Sequence, residues 1–143
     1  MKTVVLCSSG AFYKHVNELA EKLQAMGYGA VVPATARDMK TSGDYDINKV
    51  KVWYKDQQKA YIKQDKMHGH FEEVARGDAI LIVNDDKPGK QAYIGPNGFM
   101  EWGLAVYLNK PVFILNAVPK DALYWEEALT ATVINGDLGK IKL

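Results

Sequence analysis

The chain has 143 residues, of which 48% are hydrophobic and 24% charged, and its formal net charge is +1. At that length folding removes roughly two thirds of the extended chain's surface from water, enough for one core, so a single domain over residues 1–143 is expected. The near-average composition excludes a disordered chain or a disulfide scaffold, and the near-neutral charge excludes the global basic field that a nucleic-acid polymer requires.

Thr3 to Cys7 is a continuous β-prone run that stops at Ser8-Ser9-Gly10, the pattern of a strand buried on both faces. It is too short for a signal-peptide core, and no stretch approaches the about 18 to 20 apolar residues of a membrane span, so neither secretion nor a membrane partner is expected. Cys7 is the only cysteine, which fits a reducing, cytoplasmic location and leaves a cysteine-based metal site without partners. Beyond it Val16, Leu19, Ala20, Leu23 and Met26 recur at helical spacing, Gly27 supplies a stop, and Ala30-Val31-Val32-Pro33 reads as a second strand.

The stretch from Pro33 to Asp78 is too long for one crossover helix. Its polar first part, Arg37 to Asn48, reads as a mobile loop, followed by a long helix that carries Lys51, Lys55, Lys59 and Lys63 four apart and breaks near Gly69. The lysine stripe is either a solvated face or a guide for an anionic ligand. Asp78 to Asn84 is a third strand, Phe99 to Leu108 a helix and Pro111 to Asn116 a fourth strand, with Val133-Ile134 as a last edge strand. This alternation predicts an α/β domain with a Rossmann-like parallel sheet of about five strands and helices on both faces.

In such sheets ligands bind beyond the carboxyl ends of the strands, which singles out the loops after Cys7, Asn84 and Asn116. Ser8-Ser9-Gly10 joins a strand to a helix start, where free N–H groups suit an anion, or where Ser9 simply caps the helix. After Asn84-Asp85-Asp86, Gly89, Gly95, Pro96 and Gly98 keep the backbone irregular and admit a ligand closely. Glu101 follows in the first turn of the next helix, where the dipole lowers its pKa and keeps it ionised. An ionised carboxylate there can capture an oxocarbenium-like carbon, although with Gly98 as N-cap it is equally a favourable acid at N3. Tyr93, in its loop, is favoured to stack on a base ahead of Tyr13, Trp53, Tyr54 and Trp102, although aromatics in such a domain are more often core. His68 and His70, two apart, point about 200° apart on a helix and do not share a metal ion. Asp78 belongs to a turn at the opposite end of the sheet, and no GxSxG elbow is present for acyl transfer.

Three segments carry a family likeness: Leu6-Cys7-Ser8-Ser9-Gly10-Ala11-Phe12-Tyr13, His70-Phe71-Glu72 through Asp78-Ala79-Ile80-Leu81, and Gly95 through Gly103 followed by Lys110-Pro111. Together they resemble the nucleoside 2-deoxyribosyltransferase family and its nucleotide-hydrolysing relatives. The most specific element is Glu101-Trp102-Gly103 ahead of Val112-Phe113-Ile114-Leu115. The resemblance implies a flavodoxin-like domain, a homo-oligomer, no cofactor, and Glu101 as the nucleophile that cleaves the bond between base and sugar through a glycosyl-enzyme intermediate. With that activity a nucleoside or nucleotide substrate is expected, held by Ser8, Ser9, Gly10, Phe12, Tyr93, Gly95, Asn97 and Gly98. Two departures stand out: family members carry an aspartate where this chain has His70, and an acid in the loop where it has Gly95, Pro96 and Asn97. Protonation of the departing base is therefore open among His70, Asp85 and Asp86, as is the choice between hydrolysis and transfer. A non-catalytic nucleotide-binding module on the same scaffold is the alternative reading, and a flavin binder lacks a distinctive phosphate loop here.

Overall fold

Successive side chains of a strand leave the sheet on opposite sides, so a strand reads as continuously apolar only when both sides are dry. The computed structural model, which describes residues 1–143, meets that condition at every central strand. Strands β1 (Thr3–Ser8), β2 (Gly29–Val31), β3 (Ala79–Val83), β4 (Val112–Ile114) and β5 (Thr132–Val133) pair in parallel in the order β2-β1-β3-β4-β5. That order defines a flavodoxin-like, doubly wound sheet.

Val4 and Leu6 of β1, Leu81 and Val83 of β3 and Phe113 of β4 face one core, closed by Val16, Leu19 and Leu23 of helix α1 (Tyr13–Ala25) and Ala36 of α2 (Ala34–Ser42). Val5, Cys7, Ile80, Ile82 and Ile114 face the other. There they meet Val74 of α3 (Ala60–Arg76), Trp102 and Ala105 of α4 (Pro96–Tyr107) and Ala128 of α5 (Trp125–Ala128). Each fully buried Val, Leu or Ile contributes about 1.5–3 kcal/mol, which makes this two-sided burial the main source of stability. Helix α1 ends where Gly27 adopts φ +92°, a conformation that costs other residues dearly. At the amino end of the sheet the Asp78 carboxylate accepts the Thr3 N–H at 2.8 Å, pinning the starts of β1 and β3 together.

The long connection differs from its sequence expectation. Part of the polar stretch from Arg37 is helical, in α2, which closes on Gly43 in the left-handed conformation. Residues 47–59, by contrast, form three short 3-10 turns, Ile47–Lys49, Val52–Tyr54 and Gln57–Lys59, rather than one long lysine-bearing helix. Asp46 caps the first turn by accepting the Asn48 N–H at 3.0 Å, and in mid-stretch Asp56 accepts the Gln58 N–H at 3.0 Å, a local bond that starts a new turn and competes with helix propagation. Helix α3 then runs unbroken through Gly69. No helix is long and apolar enough to cross a membrane.

Candidate functional site

The strand order reverses between β1 and β3, and the crevice beyond their carboxyl ends is where a doubly wound sheet takes its ligands. A cavity of ≈ 630 Å³ occupies that position, within the usual size of a small-molecule site. Its floor comes from Ser8 at the end of β1 and Ser9 and Gly10 after it, from His70 and Glu73 of α3, and from Gly95, Asn97, Gly98 and Glu101 around the start of α4. Tyr93 lines it as well, and Ile47, Lys51 and Trp53 of the 3-10 segment close it over. Gly10 permits that closure, since a Cβ there would stand 2.5 Å from Ile47 Cδ1.

Helix α4 begins earlier than its sequence pattern suggests. Gly95 is the N-cap and Pro96 the first helical residue, where its fixed φ fits and its missing N–H costs nothing. Gly98 is therefore inside the helix, and its small size serves packing: a Cβ would lie 2.8 Å from Ile94 Cγ2. Glu101 falls beyond the first turn, so the dipole that was expected to lower its pKa is out of reach. The residue is instead 6% exposed as a whole, and burial pushes its pKa above the ordinary glutamate value, only partly offset by His70, the Cys7 thiol and Lys63.

His70 lies inside α3 and is buried, not at a helix end. Its Nδ1 is 2.7 Å from Glu73 Oε2, and its Nε2 is 3.2 Å from the Leu6 carbonyl, 3.7 Å from Cys7 Sγ and 3.8 Å from Glu101 Oε2. Burial lowers its pKa, but the Glu73 hydrogen bond and the Glu101 and Glu73 charges outweigh it, leaving the imidazole easier to protonate than a free histidine. Glu73 is held in turn by Arg37 at 2.8 Å, and Arg37 also donates to the Val32 carbonyl. Partial burial raises the Glu73 pKa, and its bonds to His70 and Arg37 carry the net shift below the usual carboxylate range. Beneath these groups Cys7 is fully buried, and burial, reinforced by the Glu101 charge, pushes its thiol well up.

Four residues named from the sequence are used elsewhere. Asp85 lies 2.6 Å from His15 Nδ1 and accepts from Asn116 Nδ2 at 3.0 Å, while Asp86 accepts the Ala92 N–H at 2.7 Å. Asp85 clamps the loop after β3 to α1 and to the end of β4, Asp86 holds that loop to itself, and neither lines the cavity. Phe12 is core, edge-on to Tyr93 with ring centroids 6.5 Å apart, and does not line the cavity either. Trp102 is likewise core, packed between Phe99 and Tyr124. Ser9 stands at the N-cap of a 3-10 turn without a side-chain capping bond, and Ser8 Oγ donates to the Ser9 carbonyl at 2.9 Å.

The sequence left the cations of this site undecided. Lys51, Lys63 and Lys87 all line the cavity, none pairs with a carboxylate, and each lies over an aromatic ring: Tyr54 at 5.5 Å, Trp53 at 5.6 Å and Tyr93 at 4.2 Å. Desolvation first, and the Lys51 charge second, lower the pKa of Lys63 and of Lys87, the sign of ammonium groups crowded together. Four-residue spacing flagged Lys51 and Lys63, but the partition of the stripe between cavity and solvent depends on the 3-10 turns. Glu73 and Cys7 carried no sequence signal of their own.

No known family model matches the chain, and no curated protein is significantly similar to it in sequence.

Proposed function

We propose that the protein cleaves or transfers at the N-glycosidic bond of a nucleoside or nucleotide, with Glu101 as nucleophile, in the manner of the nucleoside 2-deoxyribosyltransferase family. The observation that carries this reading is the Glu101 carboxylate, buried at the floor of a small-molecule cavity at the switch point of the sheet. A desolvated carboxylate, freed of the water shell that stabilises it, is well suited to meet cationic character at C1′ of a ribose.

Nucleophile and leaving group occupy opposite sides of C1′, so a residue beside Glu101 cannot reach the departing base. In this reading His70 acts on Glu101, orienting it and balancing its charge, and does not protonate the base. Tyr93 and Trp53 offer stacking surfaces for that base, and the backbone of Ser8 to Gly10 meets the sugar. Lys51, Lys63 and Lys87 favour a 5′-phosphorylated substrate, because an anion relieves the mutual repulsion of three ammonium groups that lack carboxylate partners. Assembly into a homo-oligomer belongs to the proposal and is supported by Met100, Val106 and Tyr107, apolar side chains left exposed on α4.

The reading is tested by chromatographic detection of free base from ribo- and deoxyribonucleosides and their 5′-monophosphates, with and without an acceptor base. Release that disappears in Glu101→Ala supports it, and an acceptor requirement distinguishes transfer from hydrolysis. Tight nucleotide binding without release from any substrate favours a binding module. The specific observation behind that second reading is that Asp85 and Asp86, the loop acids, do not line the cavity.

A further inference from the structure

Cys7, His70 and Glu101 come from three elements, β1, α3 and α4, and one ligand atom from each lies within 4.8 Å of the other two. Cys7 Sγ is 3.7 Å from His70 Nε2, which is 3.8 Å from Glu101 Oε2. The nitrogen–oxygen separation is too long for a hydrogen bond. Both are close to the about 3.3–3.6 Å that separates neighbouring donors around tetrahedral zinc, given Zn–S of about 2.3 Å and Zn–N or Zn–O of about 2.0–2.2 Å. A thiolate, an imidazole and a carboxylate suit a borderline-soft dication, and the two anionic ligands would neutralise its charge in this buried setting.

A second observation points the same way. Glu73 Oε2 stands 2.7 Å from His70 Nδ1 and is itself braced by Arg37 at 2.8 Å. A carboxylate accepting Nδ1–H commits that nitrogen to Glu73 and leaves Nε2, now bonded to the Leu6 carbonyl, as the nitrogen that faces Cys7 and Glu101 and can be freed for a metal, the support that zinc-bound imidazoles receive from their outer neighbours. His70 and Glu101 line the cavity while Cys7 lies buried behind them, so a metal held by all three has one side toward the cavity.

We propose that Cys7, His70 and Glu101 bind one Zn²⁺ whose fourth coordination position opens onto the cavity, and that the bound ion holds the Glu101 carboxylate out of the glycosidic reaction. On binding, the Cys7 S–H bond breaks, its proton passes to the buffer, and the sulfur electron pair forms the Zn–S bond. His70 gives up its 3.2 Å bond to the Leu6 carbonyl, its Nε2 proton likewise passes to the buffer, and the freed Nε2 pair forms the Zn–N bond, while Glu101 supplies one carboxylate oxygen. The zinc site stands without the glycosidic reading; only the inhibitory clause rests on it.

The deciding experiment is zinc-edge X-ray absorption on the full chain loaded with one equivalent of Zn²⁺, which needs no variant. One sulfur neighbour at about 2.3 Å among nitrogen and oxygen neighbours is expected, and a shell of nitrogen and oxygen alone overturns the site. Competition with a chromogenic chelator gives the affinity, which should fall at least tenfold in Cys7→Ala and His70→Ala, shown folded by circular dichroism, and stay within twofold in His68→Ala, where the side chain is exposed. An affinity indifferent to Cys7→Ala, or lost in His68→Ala, also overturns it. If the metal-free chain releases base, one equivalent of Zn²⁺ should suppress release at least tenfold and EDTA should restore it. Undiminished release from the zinc-loaded chain overturns the inhibitory clause. Absence of release in the metal-free chain fails the glycosidic reading and that clause together, and leaves the site to the absorption spectrum.

Discussion

His70 Nε2 stands 3.8 Å from Glu101 Oε2, and both side chains are 8% exposed. Two ionisable groups rarely lie so deep unless each stabilises the other or the pair has a function. The contact joins α3 to α4 across the floor of the cavity, so it couples the chemistry of the site to the packing of the two helices.

Glu101→Gln keeps the shape of that floor and removes its charge. Base release should fall by about three orders of magnitude or more, because amide oxygen is a poor nucleophile. At neutral pH the melting temperature should rise, since the raised pKa of Glu101 means that its ionised form is less favourable in the folded chain than in water. Chromatographic release assays and thermal melts read the two effects. A lower melting temperature would show that the carboxylate supports the fold.

Lys63→Gln and Lys87→Gln should each raise KM for a 5′-monophosphate by about tenfold, the weight of one partly hydrated charge-assisted contact. KM for the unphosphorylated nucleoside should stay within about twofold. Steady-state kinetics on both substrates separates a phosphate site from a general loss of activity, and equal effects on the two would remove the phosphate reading.

Asp78 sets an acid-side dependence of stability. Its pKa lies below the unfolded value of 3.8, first because it accepts the Thr3 N–H and then through Lys2 and Lys110. The stabilisation is therefore fully present above that unfolded value and is lost as the pH falls through the lower folded one. Asp78→Asn should unfold at lower denaturant concentration than the parent chain at pH 7, and the gap should shrink toward pH 2, as urea titrations would show. A gap that widens on acidification contradicts the assignment.

Tyr107 is 81% exposed and Val106 54% exposed on α4. If this face joins copies of the chain, Tyr107→Glu should shift the species measured by light scattering after size exclusion toward the monomer, without change in the circular dichroism spectrum. A parent chain already monomeric at tens of micromolar would remove the oligomer from the proposed function.

Local periodicity made the core strands legible. Thr3 to Cys7, Ala79 to Val83 and Val112 to Ile114 announce burial on both faces by their unbroken apolar character, and that character alone implies helices above and below. Helix α1 was equally readable from its spacing and from Gly27. The 3-10 turns over residues 47–59 were not, because lysines four apart describe a helix only if the backbone propagates, and the bond that Asp56 accepts from the Gln58 N–H intervenes.

The parallel α/β domain was thus contained in the sequence, since it follows from residue type and near-neighbour spacing, whereas Glu101 stood out as a first-turn acid and through a family resemblance, and it lies beyond the first turn. What only the tertiary structure decided is the surroundings of Glu101: that Cys7 and His70 gather against it with Glu73 bonded to the far nitrogen of His70, that Asp85 and Asp86 turn away, and that its pKa rises where a helix dipole was expected to lower it. Desolvation and through-space charge depend on groups distant along the chain, and no local pattern encodes the distance between them.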